Sequence, residues 1–323
     1  MKNISRRGFI SGGASVVSAG VSLRILTACG DSPTSVQDSS TDSLVAPSSD
    51  QVVDEVPDQT TDQITDLPSD IQLVQRFPQV LVPGEVRLPI SLAQQSGIIT
   101  TDSDFKFPET LSAKIVDLST DKVVIENISA KLHGAEISLP YYPFYAKIAA
   151  AGNYVLIVSG GPQDGAAFSV LERNQVLVPK TGDSLSSFDT PTFDNALGVD
   201  PICTRQPKPC PFHEVTLSAA LKLGLPVAYL VGTPSHCSTG TCSPALDGLI
   251  EVATRVGNRV AFVHAEVYAD KAATVIAPAV KALGLTFEPT LFIVDANSKV
   301  VQRLDAVFDS LEITEALKRA GVS

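Results

Sequence analysis

The sequence predicts a multi-domain chain in which an antiparallel β-sandwich precedes an α/β domain. Two observations predict this fold class. Residues 72–178 hold seven short segments of strand-like alternation, separated by turn signals such as Pro83-Gly84, which is the pattern of a sandwich. Residues 214–323 instead alternate apolar runs with segments of helical spacing, which is typical of an α/β fold.

The first 28 residues have the features of an export signal. The pair Arg6-Arg7 precedes a weakly apolar stretch that ends in Leu26-Thr27-Ala28-Cys29. This arrangement resembles a twin-arginine signal of the lipoprotein type. The resemblance implies removal of residues 1–28, lipidation of Cys29 and a location at the cell membrane, on the extracytoplasmic side. The alternative is a membrane-spanning anchor, which needs about 20 apolar residues, and Arg24 interrupts this run.

The charge of the chain argues against several classes of partner. It carries 24 basic and 35 acidic residues, for a net charge of −11. Loss of residues 1–28, which contain four bases and no acid, would bring the net charge to about −15. We do not expect so acidic a protein to bind nucleic acid or to adsorb on anionic lipid. No later segment is apolar enough to span a bilayer, so the lipid on Cys29 would be the only membrane contact.

Residues 29–71 are predicted to be a disordered acidic tether. From Asp50 to Asp70 an Asp recurs at every fourth position, a spacing that would stack like charges on one face of a helix. Pro57 and Pro68 would break a helix further. The alternative is a weak cation-binding strip, but no loop gathers the carboxylates around one centre.

The sandwich, residues 72–178, is expected to be a spacer or docking module. Ala151-Gly152-Asn153-Tyr154 resembles the tyrosine corner of immunoglobulin-like domains, in which the phenol bonds to nearby backbone. The region has no cysteine pair and no Trp, so the resemblance implies an immunoglobulin-like fold without the antibody disulfide. The predicted strands are Gln79–Val82, Val86–Ser91, Ala113–Asp117, Lys122–Ile128, Glu136–Leu139, Tyr154–Ser159 and Ala167–Leu171.

The connection, residues 179–213, contains Cys203 and Cys210 in the stretch CTRQPKPC. Outside the cytoplasm such a close pair is expected to form a disulfide. Together with His213 the two cysteines could instead bind zinc, although the sequence shows no fourth ligand.

The α/β domain, residues 214–323, contains a second cysteine pair. Cys237 and Cys242 lie between an apolar strand and a helix, and Glu288-Pro289-Thr290 opens a hairpin. In this order the features resemble a thioredoxin-like domain. The predicted elements are helix Glu214–Leu223, strand Leu225–Val231, helix Pro244–Val256, strand Arg259–Glu266, helix Lys271–Leu283, strands Thr290–Val294 and Lys299–Leu304, and helix Leu311–Arg319.

The thioredoxin-like resemblance implies thiol–disulfide exchange with protein thiols and disulfides outside the cytoplasm, without a cofactor. Cys237 would be the nucleophile, Cys242 the resolving thiol and Pro289 part of the substrate groove, while His236 could stabilise the thiolate. The family uses C-x-x-C, whereas this chain has C-x-x-x-x-C. The longer spacing is expected to move Cys237 away from the helix dipole and to weaken its activation.

Two other functions remain open from the sequence. Sco-type copper chaperones share the fold, and that resemblance implies Cu(I) bound by Cys237, Cys242 and His264. The chain could also be a non-enzymatic binding protein in which the disulfides are structural. The favoured pairing is Cys203 with Cys210 and Cys237 with Cys242, because the partners are close in sequence; a cross-pairing remains possible.

Overall fold

The computed structural model describes residues 67–134 and 137–323. The predicted signal segment, the lipidation site Cys29 and residues 29–66 of the predicted tether lie outside the described residues. All the described residues fall in one unit, Thr61–Ser323, and the domain boundaries predicted from the sequence stay predictions. Within the described residues, no helix has both the length and the apolar character needed to cross a membrane.

The first half of the described chain folds into two antiparallel four-stranded sheets. In one sheet β2 pairs with β1, β3 and β6, and in the other the order is β5-β4-β7-β8. The strands are β1 Gln72–Gln75, β2 Gly84–Gln94, β3 Gly97–Ile98, β4 Thr110–Asp117, β5 Lys122–Lys131, β6 Tyr142–Ile148, β7 Gly152–Val158 and β8 Ala166–Val170.

The two sheets share one apolar core, as the alternation in the sequence predicts. In β4 the buried residues are Leu111, Ala113 and Ile115, and they join the same core cluster as Leu88 and Phe144 of the other sheet. Alternate residues of a strand point to opposite faces, so every second one can be buried.

The predicted tyrosine-corner contact is present. The phenol of Tyr154 donates a hydrogen bond to the carbonyl of Ala150 at 3.0 Å. The relation of the sandwich to immunoglobulin-like domains remains a prediction.

Two of the predicted sandwich strands differ from the observed ones. Residues 79–82 are irregular apart from one bridge between Leu81 and Val170. Residues 137–139 are outside any strand, and the strand of this region is β6. Pro143 of β6 lies opposite Pro89 of β2. β2 was predicted in spite of Pro89, because its other residues alternate, whereas Tyr142, Pro143 and Phe144 of β6 are buried in succession and show no two-residue alternation.

The second half of the described chain has the alternating order of helices and strands that the sequence predicts. Its sheet has the order β10-β9-β11-β12, with β9 parallel to β10 and β11 antiparallel to both of its neighbours. The elements are α1 Leu217–Ala220, β9 Val227–Val231, α2 Cys242–Val256, β10 Ala261–Ala265, α3 Pro278–Leu283, β11 Thr290–Val294, β12 Val300–Asp305 and α4 Ser310–Arg319.

Helices cover both faces of this sheet, which explains why β9 is apolar throughout. Tyr229 and its face of β9 pack in one cluster with residues of α1 and α3. Leu230 and the opposite face pack in a second cluster with residues of α2 and α4. A strand that is covered on both sides needs apolar residues at every position.

The predicted helix Lys271–Leu283 is shorter in the structure. Only α3, from Pro278, is helical. The segment before it is a turn in which the carboxylate of Asp270 accepts hydrogen bonds from the N–H groups of Thr274 and Val275. Such local bonds from Asp to backbone compete with helix formation.

A buried polar cluster joins the sandwich to α4. Arg87 of β2 donates two hydrogen bonds to the carboxylate of Glu312, at 2.8 and 2.5 Å. The phenols of Tyr141 and Tyr145 each donate to Glu312 at 2.6 Å. We call these four residues the polar junction. It fixes α4, which packs against α2 and so against the helix that carries Cys242.

Candidate active site

The thiol pair lies where β9 passes into α2. Cys242 is the first residue of α2. Gly240 adopts φ +68° and donates its N–H to the carbonyl of Cys237 at 3.2 Å, which closes a turn. The turn brings Cys237 back to the helix, because the N–H of Cys242 donates to Cys237 Sγ at 3.3 Å. The longer spacing therefore leaves this sulfur at the helix N-terminus, in contrast to the sequence expectation.

The two thiols differ in exposure and in acidity. Cys237 is half-buried, whereas Cys242 is 1% exposed. A hydrogen bond from the Cys242 thiol lowers the pKa of Cys237 to about 4; burial opposes this shift, and the hydroxyl of Thr239 and backbone N–H groups add to it. The same hydrogen bond and burial raise the pKa of Cys242. The pair is thus a thiolate near the surface and a buried thiol.

A carboxylate stands beside the buried thiol. Glu288 accepts a hydrogen bond from the N–H of Thr233 at 2.7 Å, and its Oε2 lies 3.3 Å from Cys242 Sγ, where it is the alternative to Cys237 as acceptor of the one Cys242 thiol proton. Burial raises the pKa of Glu288 to about 7. The carboxylate can therefore take up a proton near neutral pH. Sequence analysis did not single out Glu288 as a functional residue, and its position directly before Pro289 was the only available signal.

Pro289 lies close to the thiols across the end of β9. It is buried, and its peptide bond to Glu288 is cis. A Cβ added to Gly232 would lie 3.3 Å from Pro289 Cβ and 3.6 Å from Cys242 Sγ, so a side chain at this position would press on Pro289. The structure thus brings the predicted site residues Cys237, Cys242 and Pro289 together.

The two candidate histidines lie elsewhere. The ring of His236 is exposed and meets Tyr268 edge-on at 6.2 Å. His264 is fully buried, with Nδ1 at 3.8 Å from Cys203 Sγ and 3.5 Å from Cys210 Sγ. The histidine expected to join Cys237 and Cys242 as a copper ligand therefore contacts the other cysteine pair. The connecting segment covers this side of β10, where the backbone N–H of His264 donates to the carbonyl of Phe212 at 3.1 Å.

Two groups of side chains near the site have metal-ligand character. One comprises Cys237, Cys242 and Glu288. The other is fully buried and comprises Cys203, Cys210, His213 and His264. Cysteines 203, 210, 237 and 242 are all thiols in the structure, and the two predicted disulfides stay predictions.

The segment after Cys203 supports the loop that carries Cys237. Ser235 donates its N–H to the hydroxyl of Thr204 at 3.1 Å and its own hydroxyl to the Thr204 carbonyl at 2.8 Å. The N–H of Thr204 in turn donates to buried Glu266 at 2.6 Å. The connection between the sandwich and the α/β part is therefore a structural component of the thiol site.

No protein-family model matches the sequence. No curated protein matches it significantly. Among solved structures, a thioredoxin-family thiol:disulfide interchange protein from Chlorobium tepidum TLS is 18% identical with a TM-score of 0.31, over 44% of this chain and 97% of that chain. A protein described as thiol:disulfide interchange protein DsbE from Chlorobium tepidum is 16% identical with a TM-score of 0.32, over 44% and 98%. At these identities and TM-scores, the function of this chain has to be argued from its own residues.

Proposed function

We propose that this chain is a thioredoxin-like protein that exchanges thiols and disulfides through Cys237 and Cys242. One observation carries the proposal: at the N-terminus of α2, a half-buried sulfur of low pKa accepts a hydrogen bond from the N–H of Cys242, while the Cys242 thiol is buried behind it. Exchange needs an accessible thiolate to attack and a protected thiol to resolve.

The reaction runs in two steps that balance. The Cys237 thiolate attacks a sulfur of the substrate disulfide, so that a mixed disulfide forms and the second substrate sulfur leaves as a thiolate. Cys242 then loses its proton and its sulfur attacks the Cys237 sulfur, which releases the remaining substrate thiolate. The substrate disulfide has gained two electrons, and the Cys237–Cys242 pair has been oxidised to a disulfide. The reverse sequence oxidises a substrate dithiol.

Glu288 accepts the proton that Cys242 releases in the second step. Its Oε2 is 3.3 Å from Cys242 Sγ, within reach for direct transfer. Because the pKa of Glu288 is about 7, the carboxylate is available near neutral pH. Pro289 borders the pair and would contact the substrate chain, which stands in a mixed disulfide with Cys237.

We place the protein at the extracytoplasmic side of a cell membrane, held by lipid on Cys29. The support is the sequence of residues 1–29, with its Arg6-Arg7 pair and its processing motif before Cys29. The substrates would be protein thiols and disulfides of that compartment, and the sandwich, proposed to be immunoglobulin-like, would present the thiol site to them.

The test combines the reduction potential of the Cys237–Cys242 pair with the pKa of Cys237. We expect a potential above about −300 mV, the range of labile disulfides, and a rate of alkylation that rises through a midpoint near pH 4. Cys237→Ser should abolish reduction of a disulfide-containing peptide, and Cys242→Ser should accumulate the mixed disulfide. Cys29→Ser, which leaves both cysteine pairs intact, is the matched control.

The proposal fails on two results taken together. A potential far below about −300 mV is characteristic of a structural disulfide. A Cys237 alkylation midpoint near the ordinary thiol value of about 8.5 would remove the reactive thiolate. Both results would favour the non-enzymatic alternative, in which the disulfides only stabilise the fold.

A further inference from the structure

Four buried side chains that take no part in the exchange reaction lie close together, next to the segment that supports the loop of Cys237. They are Cys203, Cys210, His213 and His264, which we call the Cys2His2 cluster; their exposures are 5%, 0%, 0% and 0%. One ligand atom from each lies within 4.8 Å of all the others. Buried polar groups are normally paired or bound to a metal.

We propose that the Cys2His2 cluster is a structural zinc site. The three distances from His264 Nδ1 fit a tetrahedron: with zinc–nitrogen bonds of about 2.0–2.1 Å and zinc–sulfur bonds of about 2.3 Å, ligand atoms are separated by about 3.3 Å for two nitrogens and about 3.6 Å for nitrogen and sulfur. His264 Nδ1 lies 3.2 Å from His213 Nε2, 3.5 Å from Cys210 Sγ and 3.8 Å from Cys203 Sγ.

The second ring nitrogen of each histidine contacts a backbone carbonyl, and these contacts support zinc binding. His264 Nε2 is 2.9 Å from the carbonyl of Gly232, and His213 Nδ1 is 3.4 Å from the carbonyl of Pro191. A carbonyl oxygen only accepts, so these two nitrogens carry the protons. In the neutral rings the remaining nitrogens then present lone pairs to each other and to the sulfurs. Zinc-bound histidines commonly make this second contact to a carbonyl.

The charges and protons balance at this site. When Zn²⁺ binds, the thiols of Cys203 and Cys210 each release a proton to solvent, and no electron is transferred. Two thiolates, two neutral imidazoles and Zn²⁺ give no net charge, which suits a buried position. Before metal binds, the backbone N–H of Cys210 already donates to Cys203 Sγ at 3.4 Å, a contact that stabilises a thiolate.

The ligand set also defines the role of the metal. Four protein ligands leave no open position for water or substrate, so the site is structural. Cys203 is followed by Thr204, which holds Ser235 in the loop of Cys237, and Gly232, whose carbonyl orients His264, is a neighbour of Cys242. Zinc would therefore fix the connecting segment on which the reactive loop rests.

The competing chemistry for the same residues is the disulfide between Cys203 and Cys210 that the sequence predicts. A disulfide would use both sulfurs. The facing nitrogens of His213 and His264, 3.2 Å apart, would then either share one proton or repel each other through their lone pairs. A bound metal ion such as zinc instead gives all four atoms a common partner.

The test uses the full chain, reduced and stripped of metal with a chelator, and titrates it with Co²⁺ and then with Zn²⁺. We expect one equivalent per chain, with the ligand-field bands of tetrahedral Co²⁺ and a thiolate-to-cobalt charge-transfer band, both abolished by Zn²⁺. In the zinc-loaded protein Cys203 and Cys210 should resist alkylation until a chelator is added, while Cys237 reacts.

Matched variants locate the metal. Cys210→Ser and His213→Asn should lose the tetrahedral spectrum, and the double variant Cys237→Ser/Cys242→Ser should keep it, independently of whether exchange occurs. The proposal is overturned if the reduced wild-type chain gives no tetrahedral spectrum. It is also overturned if the spectrum disappears in the double variant and survives in Cys210→Ser, or if Cys203 and Cys210 are a disulfide in protein purified without oxidant and with zinc present.

Discussion

Two thiols in one short loop acquire different chemistry because their surroundings differ. Cys237 receives hydrogen bonds from the Cys242 thiol, the Thr239 hydroxyl and backbone N–H groups, and these stabilise its charged form. Cys242 is buried, has a charged sulfur beside it and faces the carboxylate of Glu288. A negative charge on Cys242 is therefore costly until Glu288 has a proton to share or Cys237 has lost its charge to a substrate.

Glu288→Gln should change the pH dependence of stability in the reduced protein. Burial raises the pKa of Glu288 from 4.5 to about 7, so the folded state binds this proton more tightly than the unfolded state. Its contribution is fully present below about pH 4.5 and is lost as the pH rises through about 7, by at most roughly 3 kcal/mol. Cys237, whose pKa is lowered to about 4, adds stability as the pH rises over the same window, so urea unfolding should give a stability that rises more steeply with pH in Glu288→Gln than in the wild type.

The same substitution at an exposed position controls for the chemistry of the change. Glu315 is exposed and pairs with Lys318 on the surface of α4, and Glu315→Gln should follow the wild-type curve. If Glu288→Gln retains the full wild-type slope, Glu288 does not titrate in this window and is not the proton acceptor of Cys242.

At the scale of residues, the sequence predicted that Cys237 and Cys242 lie between a strand and a helix, but not how their sulfurs are arranged. The C-x-x-x-x-C spacing predicted a Cys237 remote from the helix, yet the turn at Gly240 returns its sulfur to the N–H of Cys242. His264 was assigned to the wrong neighbours for a related reason. Strand alternation fixes the face of β10 on which a side chain lies, but it does not show which distant segment covers that face.

At the scale of elements, the end of β9 sets the distance between Pro289 and Cys242. Gly232 separates Pro289 from Cys242, and a methyl group there would lie 3.3 Å from Pro289 Cβ. That distance is short for two carbon atoms, so either Pro289 or the strand end has to move. The carbonyl of the same residue accepts from His264, which limits the movement available to the strand.

Gly232→Ala should therefore lower stability by about 1–3 kcal/mol and slow exchange by displacing Pro289 from the thiols. Gly161→Ala is the matched control, because its added methyl group would be equally close, 3.3 Å, to the carbonyl of Val158 in the sandwich. Both variants should lose stability in thermal unfolding, but only Gly232→Ala should slow peptide reduction. An unchanged exchange rate in a destabilised Gly232→Ala would show that the spacing at Pro289 is unimportant.

Elements with a clear apolar period were predictable, and those set by prolines and local turns were not. The spacing of Leu246, Leu249 and their neighbours predicted α2 almost to its observed bounds, because helical burial follows that period. β6 was missed because Tyr142, Pro143 and Phe144 are buried in succession and show no alternation, and the start of α3 was misplaced because Asp270 binds nearby backbone.

At the scale of the whole molecule, the polar junction connects the sandwich to the thiol site. Besides Glu312, Arg87 donates to the carbonyls of Asp305 at 3.1 Å and of Val307 at 2.5 Å. Ala306, between those two residues, donates its N–H to the carbonyl of Pro289 at 2.9 Å. The sandwich thereby supports the segment that holds Pro289. No periodicity in the sequence could indicate this contact, because its partners lie more than two hundred residues apart.

Glu312→Ala should test how strongly the two halves depend on each other. The substitution leaves Arg87 charged and buried at 8% exposure without its carboxylate, and loss of one partner of a buried pair costs about 3–5 kcal/mol. The double variant Arg87→Met/Glu312→Leu should cost less than Glu312→Ala, because it leaves no unpaired charge. The stability of both variants is measured by urea unfolding, followed by far-ultraviolet circular dichroism and by fluorescence. The fluorescence is that of tyrosine, because the chain has no Trp.

A second ion pair between the same two elements provides the matched control. Arg319 of α4 pairs with Glu85 of β2, but these side chains are 44% and 48% exposed. Exposed pairs contribute less than about 1 kcal/mol, so Glu85→Ala should leave the free energy of unfolding nearly unchanged. In Glu312→Ala the two optical signals should separate, because the sandwich and the α/β part no longer unfold together. A single transition with a cost no larger than that of Glu85→Ala would mean that the polar junction does not couple the two halves.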